Sequence, residues 1–236
     1  MRLRSILGVA LLVSRRGFRA WQSYLSSLIS TLWIFVMFYV LGGFSLLPHA
    51  IVGAIISLTF SGSSMSAVYD AYYNLIGLRD VFLASPLSAL EFRIGVALGT
   101  FLPSISTLLA YYVLLFLLAS NVSLPMFLLA VLFVTIVTWV VGILLGYIIA
   151  KEDLNASSKI SLVNKLLTLL PPIYYPSRIL PSEIRPIAYL APTYNISEIT
   201  KMLLGTEPLN LPHFMTCAVV LAIQSVILIL ITLKMR

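Results

Sequence analysis

Six apolar stretches, each long enough to cross a bilayer, take up most of this 236-residue chain. A hydrocarbon core of about 30 Å takes roughly 20 helical residues to cross, because in lipid only a helix or a closed barrel satisfies its own backbone. The runs are continuous rather than alternating, which favours helices over barrel strands. Composition points the same way: 60% of the residues are hydrophobic and 10% charged, against about 25% charged in a soluble domain. The expectation is an all-α integral membrane protein, a single transmembrane domain over 1–236. Its six transmembrane helices fall at Leu25–Phe44, His49–Tyr69, Ile94–Ala119, Pro125–Ala150, Ile160–Tyr175 and Pro212–Leu233. The fifth holds Lys165 and ends in Pro171 and Pro172, so it is expected to be short, tilted or broken near its outer end.

Lys and Arg concentrate in cytoplasmic loops, and here the bias is clear. Arg2, Arg4, Arg15, Arg16, Arg19, Arg79, Arg93, Lys151, Lys159, Lys234 and Arg236 share one side, while Arg178, Arg185 and Lys201 lie on the other. Both termini are therefore expected in the cytoplasm of a cell whose plasma membrane the chain crosses. The net charge of +7 reads as an inner-face excess attracted to anionic lipid headgroups, with no need of a nucleic-acid partner.

Three segments do not span. The amino-terminal tract, residues 1–24, has an apolar run from Ile6 to Val13 too short to cross and flanked by arginines. It is expected as an interfacial helix with Leu3, Leu7 and Leu11 on one face and Arg15, Arg16 and Arg19 at the phosphates. A cleavable signal peptide fits less well, since no small-x-small site follows and a basic cluster does; a purely topological role for the arginines stays open. The cytoplasmic segment, residues 70–93, offers an apolar face from Leu75, Leu78, Phe82 and Leu83. Ser85-Pro86 is expected to stop one helix, and Ser88 to cap the next with Glu91 at its third position. The external segment, residues 176–211, is rich in proline and aromatics yet apolar. Short helices beginning near Ser182 and Ser197 and dipping into the outer leaflet would fit it.

With these residues in view, the chain resembles the permease subunits of ABC-2 type exporters over nearly its whole length. The resemblance rests on the interfacial helix, the six spans, the inner Leu-Ala-Ser-Pro-Leu-Ser-x-x-Glu-Phe sequence at 83–92, and the outer Pro176-Ser-x-x-Leu-Pro181 followed by Ala191-Pro-Thr193. It implies a coupling helix between helices 2 and 3, carried by Leu78, Arg79, Asp80, Phe82, Leu83, Ser85, Pro86 and Glu91. It also implies an outer re-entrant hairpin before helix 6, marked by Pro176, Leu180, Pro181 and Pro192. Two permeases would pair, as copies or paralogues, above two cytosolic ATPase subunits that bind ATP and Mg. The chain would then hold no cofactor and move a hydrophobic or amphipathic substrate outward. It has no G-x-x-x-x-G-K-[ST] phosphate cradle of its own.

The leading alternative is an ion-gradient-driven carrier, which should bury ionisable groups along its path. Only Lys165 lies inside a span, near enough to the inner end to snorkel. An enzyme would need clustered His, Cys or carboxylates; His49 and His213 lack local partners, and Cys217, the only cysteine, reads as a packing residue. Gly95/Gly99 and Gly142/Gly146 have G-x-x-x-G spacing, best explained by close internal helix packing. Tyr111, Tyr112 and Trp139 read as anchors or as path-lining side chains. Asn121-Val-Ser123 and Asn195-Ile-Ser197 are glycosylation sequons on the side expected to be external.

Overall fold

The structure, a computed structural model, describes residues 3–19, 21–84, 87–119, 122–150, 155–181 and 183–234. Among these residues the chain is helical, without a strand. Its helices are α1 (Leu3–Arg19), α2 (Trp21–Gly42), α3 (Leu47–Ser64), α4 (Ser66–Leu75), α5 (Leu78–Leu83), α6 (Ala89–Phe101), α7 (Ile105–Leu118), α8 (Leu124–Ala150), α9 (Ala156–Leu169), α10 (Arg185–Ala188), α11 (Pro192–Leu203) and α12 (Leu211–Lys234).

Four helical stretches are long and apolar enough to cross a membrane, and they mark a membrane protein. Leu47–Leu75 joins α3 to α4, Ala89–Leu118 joins α6 to α7 through a 3-10 turn at Pro103, and Leu124–Ala150 and Leu211–Lys234 are α8 and α12. Proline removes a backbone donor, which explains the 3-10 turn in the second stretch. Of the other two expected spans, the first corresponds to α2 and the 3-10 turn that follows it, which form a shorter apolar helix over Thr31–Ser45. The fifth is shorter than its apolar run. α9 has 14 residues, about 21 Å of helix, and ends at Leu169 just before Leu170 and the Pro171-Pro172 pair. Leu170 still has helical dihedrals, but neither proline has an N–H to donate back into the helix, so the hydrogen-bonded turns stop there.

α3 runs through the middle of the molecule, with Ile55, Ile56 and Phe60 wholly buried, while α12 lies at the periphery and buries Cys217 and Leu221. The glycine pairs set the closest approaches. A Cβ on Gly95 would lie 2.7 Å from Val9 Cβ, and one on Gly99 2.6 Å from Val13 Cβ and 2.7 Å from the Ala10 carbonyl. A Cβ on Gly146 would lie 2.5 Å from the Ser64 carbonyl, and one on Gly142 would meet Ser63 Oγ. Both pairs thus serve packing inside one chain, α1 against α6 and α3 against α8. Because Ile6, Val9, Ala10 and Val13 face α6, the Leu3, Leu7 and Leu11 stripe turns outward and is exposed.

Candidate functional site

At one end of the bundle, α4, α5 and the start of α6 form a projection. α4 ends at Leu75 and the chain reverses at Gly77, whose φ of 69° suits glycine. The sequence pattern had carried one helix through to Ser85-Pro86; the Ile76-Gly77 turn breaks it sooner, and Ser85 and Pro86 lie outside the described residues. The expected cap is present. Glu91 N–H donates to Ser88 Oγ at 3.2 Å and Ser88 N–H to Glu91 Oε2 at 3.0 Å, closing both halves of a capping box at the start of α6.

Apolar packing fixes α5 from below. Leu78 and Phe82 join the cluster of Val9, Val13, Tyr73, Phe92 and Val96, with the Phe82 and Phe92 rings 5.3 Å apart. Leu83 is half-buried, whereas Leu75 is exposed and does not extend this face. Asp70, which the sequence shows only as a helix-end acid, is 4% exposed and ties the projection together. Its Oδ2 accepts from Arg93 Nε at 3.2 Å, and Arg79 Nε lies 3.8 Å from Oδ1. Thus α4, α5 and α6 meet at one carboxylate. The outward face carries Asp80, Val81 and Ala84, of which Val81 is 67% exposed.

On α1, Arg15 and Arg19 are exposed. The backbone of Arg16 is helical, and its side chain lies outside the described residues.

At the opposite end the external segment is organised differently from the pattern expected of it. α11 starts at Pro192, not at Ser197, since proline is pre-set for the first helical position. Ser182 is outside the described residues; a 3-10 turn at Ser177–Ile179 precedes it and α10, four residues from Arg185, follows it. Pro176 and Pro192 are buried, Leu180 is half-buried and Pro181 is exposed. Residues 191–202 of α11 are all buried, packed among α3, α8 and α12. Asn195 is wholly buried and donates through Nδ2 to the Tyr189 carbonyl at 2.9 Å and to Gln224 Oε1 at 3.1 Å. That sequon is a structural amide in this fold, while Asn121 falls outside the described residues.

Two charges on α11, Glu198 and Lys201, which in the sequence only balance among the charges of the external segment, meet in space. Lys201 is wholly buried, and its Nζ donates to the carbonyls of Pro172 at 2.9 Å and Tyr175 at 2.8 Å and to Glu198 Oε1 at 3.1 Å. Burial holds the lysine pKa below its ordinary value, and Glu198 offsets only part of that. The three acceptors decide its state, since a neutral amine has only two hydrogens to give. Glu198 Oε2 in turn accepts from Ser177 Oγ at 2.8 Å and lies 3.2 Å from His213 Nε2. Burial alone would raise the Glu198 pKa; the His213 hydrogen bond, the Lys201 charge and Ser177 outweigh it and hold it at about 2. His213, whose one contact nearby in sequence is the Cys217 sulfur at 3.9 Å, also gains distant partners in space, its Nδ1 being 2.7 Å from the Tyr189 hydroxyl. The i, i+3 spacing of Glu198 and Lys201 was the one local signal of this cluster.

Among the described residues no group of three His, Cys, Asp or Glu is placed to hold a metal ion. Tyr111 packs edge-on to Phe35, and the Tyr112 hydroxyl lies 2.5 Å from Thr135 Oγ1. Comparison with protein-family models and with curated proteins finds no match to this chain, so residues and geometry alone carry the functional reading.

Proposed function

We propose that the chain is the membrane-spanning subunit of an ATP-driven exporter of the ABC-2 permease type. In this reading six helices cross the plasma membrane, with α2 and α9 completing the set, and both termini are cytoplasmic. Two such subunits pair, and ATP and Mg act on a separate cytosolic ATPase. The observation that carries the reading is the α5 projection. It is anchored by the Phe82–Phe92 contact and the Asp70 carboxylate, yet offers an outward face of Asp80, Val81 and Ala84 to a partner. A short helix held this firmly at the junction of two long helices passes a push on its tip to both. The arginines of α1 would meet anionic headgroups beside it.

An ion-gradient-driven carrier remains the competing function, and the buried Glu198–Lys201 pair is the observation in its favour. Its geometry argues for a clamp instead, because every Lys201 hydrogen is already used within the protein. Purification of the tagged chain in mild detergent, with mass spectrometry of what accompanies it, tests the choice. A stoichiometric ATPase with a phosphate-binding loop is expected. Repeated isolation of the intact chain without one would favour the carrier.

A further inference from the structure

A groove of about 450 Å³ runs between α2, α3 and α9, within the range of small-molecule sites. Its polar wall is Ser61, Ser161, Asn164, Lys165 and Thr168, and its apolar wall includes Ile34, Ala54, Leu58 and Leu169. No carboxylate lines it among the described residues. Lys165 is exposed to the groove and makes no ion pair or hydrogen bond among the described residues. Asn164 Oδ1 is taken by Ser64 Oγ at 3.0 Å, which leaves the amide hydrogens as donors.

Depth makes this arrangement unusual. Lys165 is the tenth residue of α9, about 13 to 14 Å along it at 1.5 Å per residue. The facing Ala54, Ser57 and Ser61 lie well inside the membrane-length stretch that begins at Leu47. Snorkelling to the inner end of α9 at Ala156, the role the sequence suggested, would require the side chain to reach past more than two helical turns, and the nearer end at Leu169 leads into the buried residues 171–174. A lysine ammonium that deep is costly unless an anion or water answers it. The Thr168 hydroxyl is already given to the Asn164 carbonyl at 2.7 Å, but Ser61, Ser161 and the Asn164 amide supply further donors, so the site is built to be completed by an acceptor.

We propose that this groove binds the acidic headgroup of an amphiphile, a carboxylate or phosphate held by Lys165 with Asn164 and the serine hydroxyls, while its chain lies along Ile34, Leu58 and Leu169. The inference rests on α3 and α9 lying in the membrane. It sharpens the exporter reading to anionic amphiphiles, but binding does not depend on the energy source.

The test uses the full chain in nanodiscs of phosphatidylcholine, in alkaline buffer, with dansyl-undecanoic acid as the fluorescent probe and its methyl ester as the uncharged twin. Wild type is expected to bind the acid about tenfold or more tighter than the ester. Lys165→Met should erase that preference while leaving ester affinity and oligomeric mass unchanged, and Lys165→Arg should keep most of it. Equal binding of acid and ester by wild type, or a preference that survives Lys165→Met, overturns the proposal. So does a change of oligomeric mass in Lys165→Met without any acid preference in wild type, which would assign Lys165 to a contact with a second copy. Phosphatidylglycerol in the discs then separates the sources of the headgroup: displacement of the acid identifies a resident lipid, and retention a free amphiphile. Absence of an ATPase in the purification would end the exporter reading and leave this result standing.

Discussion

The two ends of the molecule each hold a short helix by buried charge, and they do so to different degrees. At the α11 end Lys201 and Glu198 have side chains 0% and 2% exposed, and every hydrogen of the ammonium has a protein acceptor. At the α5 end Asp70 is just as buried, but Arg79 and Arg93 are 14% and 32% exposed and one contact stretches to 3.8 Å. The first arrangement is closed and pins the non-helical stretch after α9 to α11. The second is partly wet and joins three helices while leaving one face unoccupied. A saturated cluster has one stable geometry, whereas a part-solvated hub tolerates rearrangement.

Breaking the closed end should cost most. Lys201→Met removes one partner and leaves Glu198 buried, so a loss of about 3 to 5 kcal/mol is expected, read as a large drop in melting temperature in detergent or a failure to accumulate. Adding Glu198→Gln should restore part of it, and a double variant as unstable as the single would argue against an ionic clamp. Next comes the α1–α6 seam, where Gly99→Leu drives a side chain into Val13 and the Ala10 carbonyl. A loss of about 1 to 3 kcal/mol is expected, with faster proteolysis of the amino-terminal tract. Asp70→Asn should cost about 1 to 3 kcal/mol, less than Lys201→Met because Arg93 keeps contact with solvent, yet under the exporter reading it should uncouple ATP hydrolysis from transport. Val81→Glu is expected to stay within about 0.5 kcal/mol of wild type while weakening ATPase co-purification, since the side chain faces outward. A charged residue at Phe82 is a less clean probe than the sequence suggested, as that ring is packed on Phe92.

Acidity offers a direct probe of the closed end. Glu198 is held at about 2 against an ordinary 4.5, so its contribution is fully present above pH about 4.5 and fades as pH falls from there toward about 2. Hydrogen exchange of α11 amides across that window should report the loss. Unchanged protection down to pH about 2 would mean that the carboxylate does not bear on α11's stability.

What could be read from the chain was local. Apolar runs marked the four long stretches, the Ser88 to Glu91 spacing gave a cap that forms as written, and the Pro171-Pro172 pair marked where α9 stops. Glycine spacing pointed to close internal packing, but not to which helix would fill the gap. The rest depends on partners far apart in sequence. Asp70 reads as a helix-end acid until Arg93, 23 residues on, reaches it. Glu198, Lys201 and the distant carbonyls of Pro172 and Tyr175 read as balanced surface charges because no composition rule reports burial. Asn195 matched a sequon for the same reason: three residues cannot show that an amide is enclosed by Tyr189 and Gln224.

The α1 seam bears on how the protein is made. Val9 packs on Gly95, more than eighty residues downstream, and ribosomes add about 5 to 20 residues per second. For several seconds or longer the newborn amino-terminal helix must wait with the apolar face meant for α6 uncovered. A bilayer surface can shelter that face in the meantime, so early delivery to the membrane protects the chain from aggregation before its own partner exists.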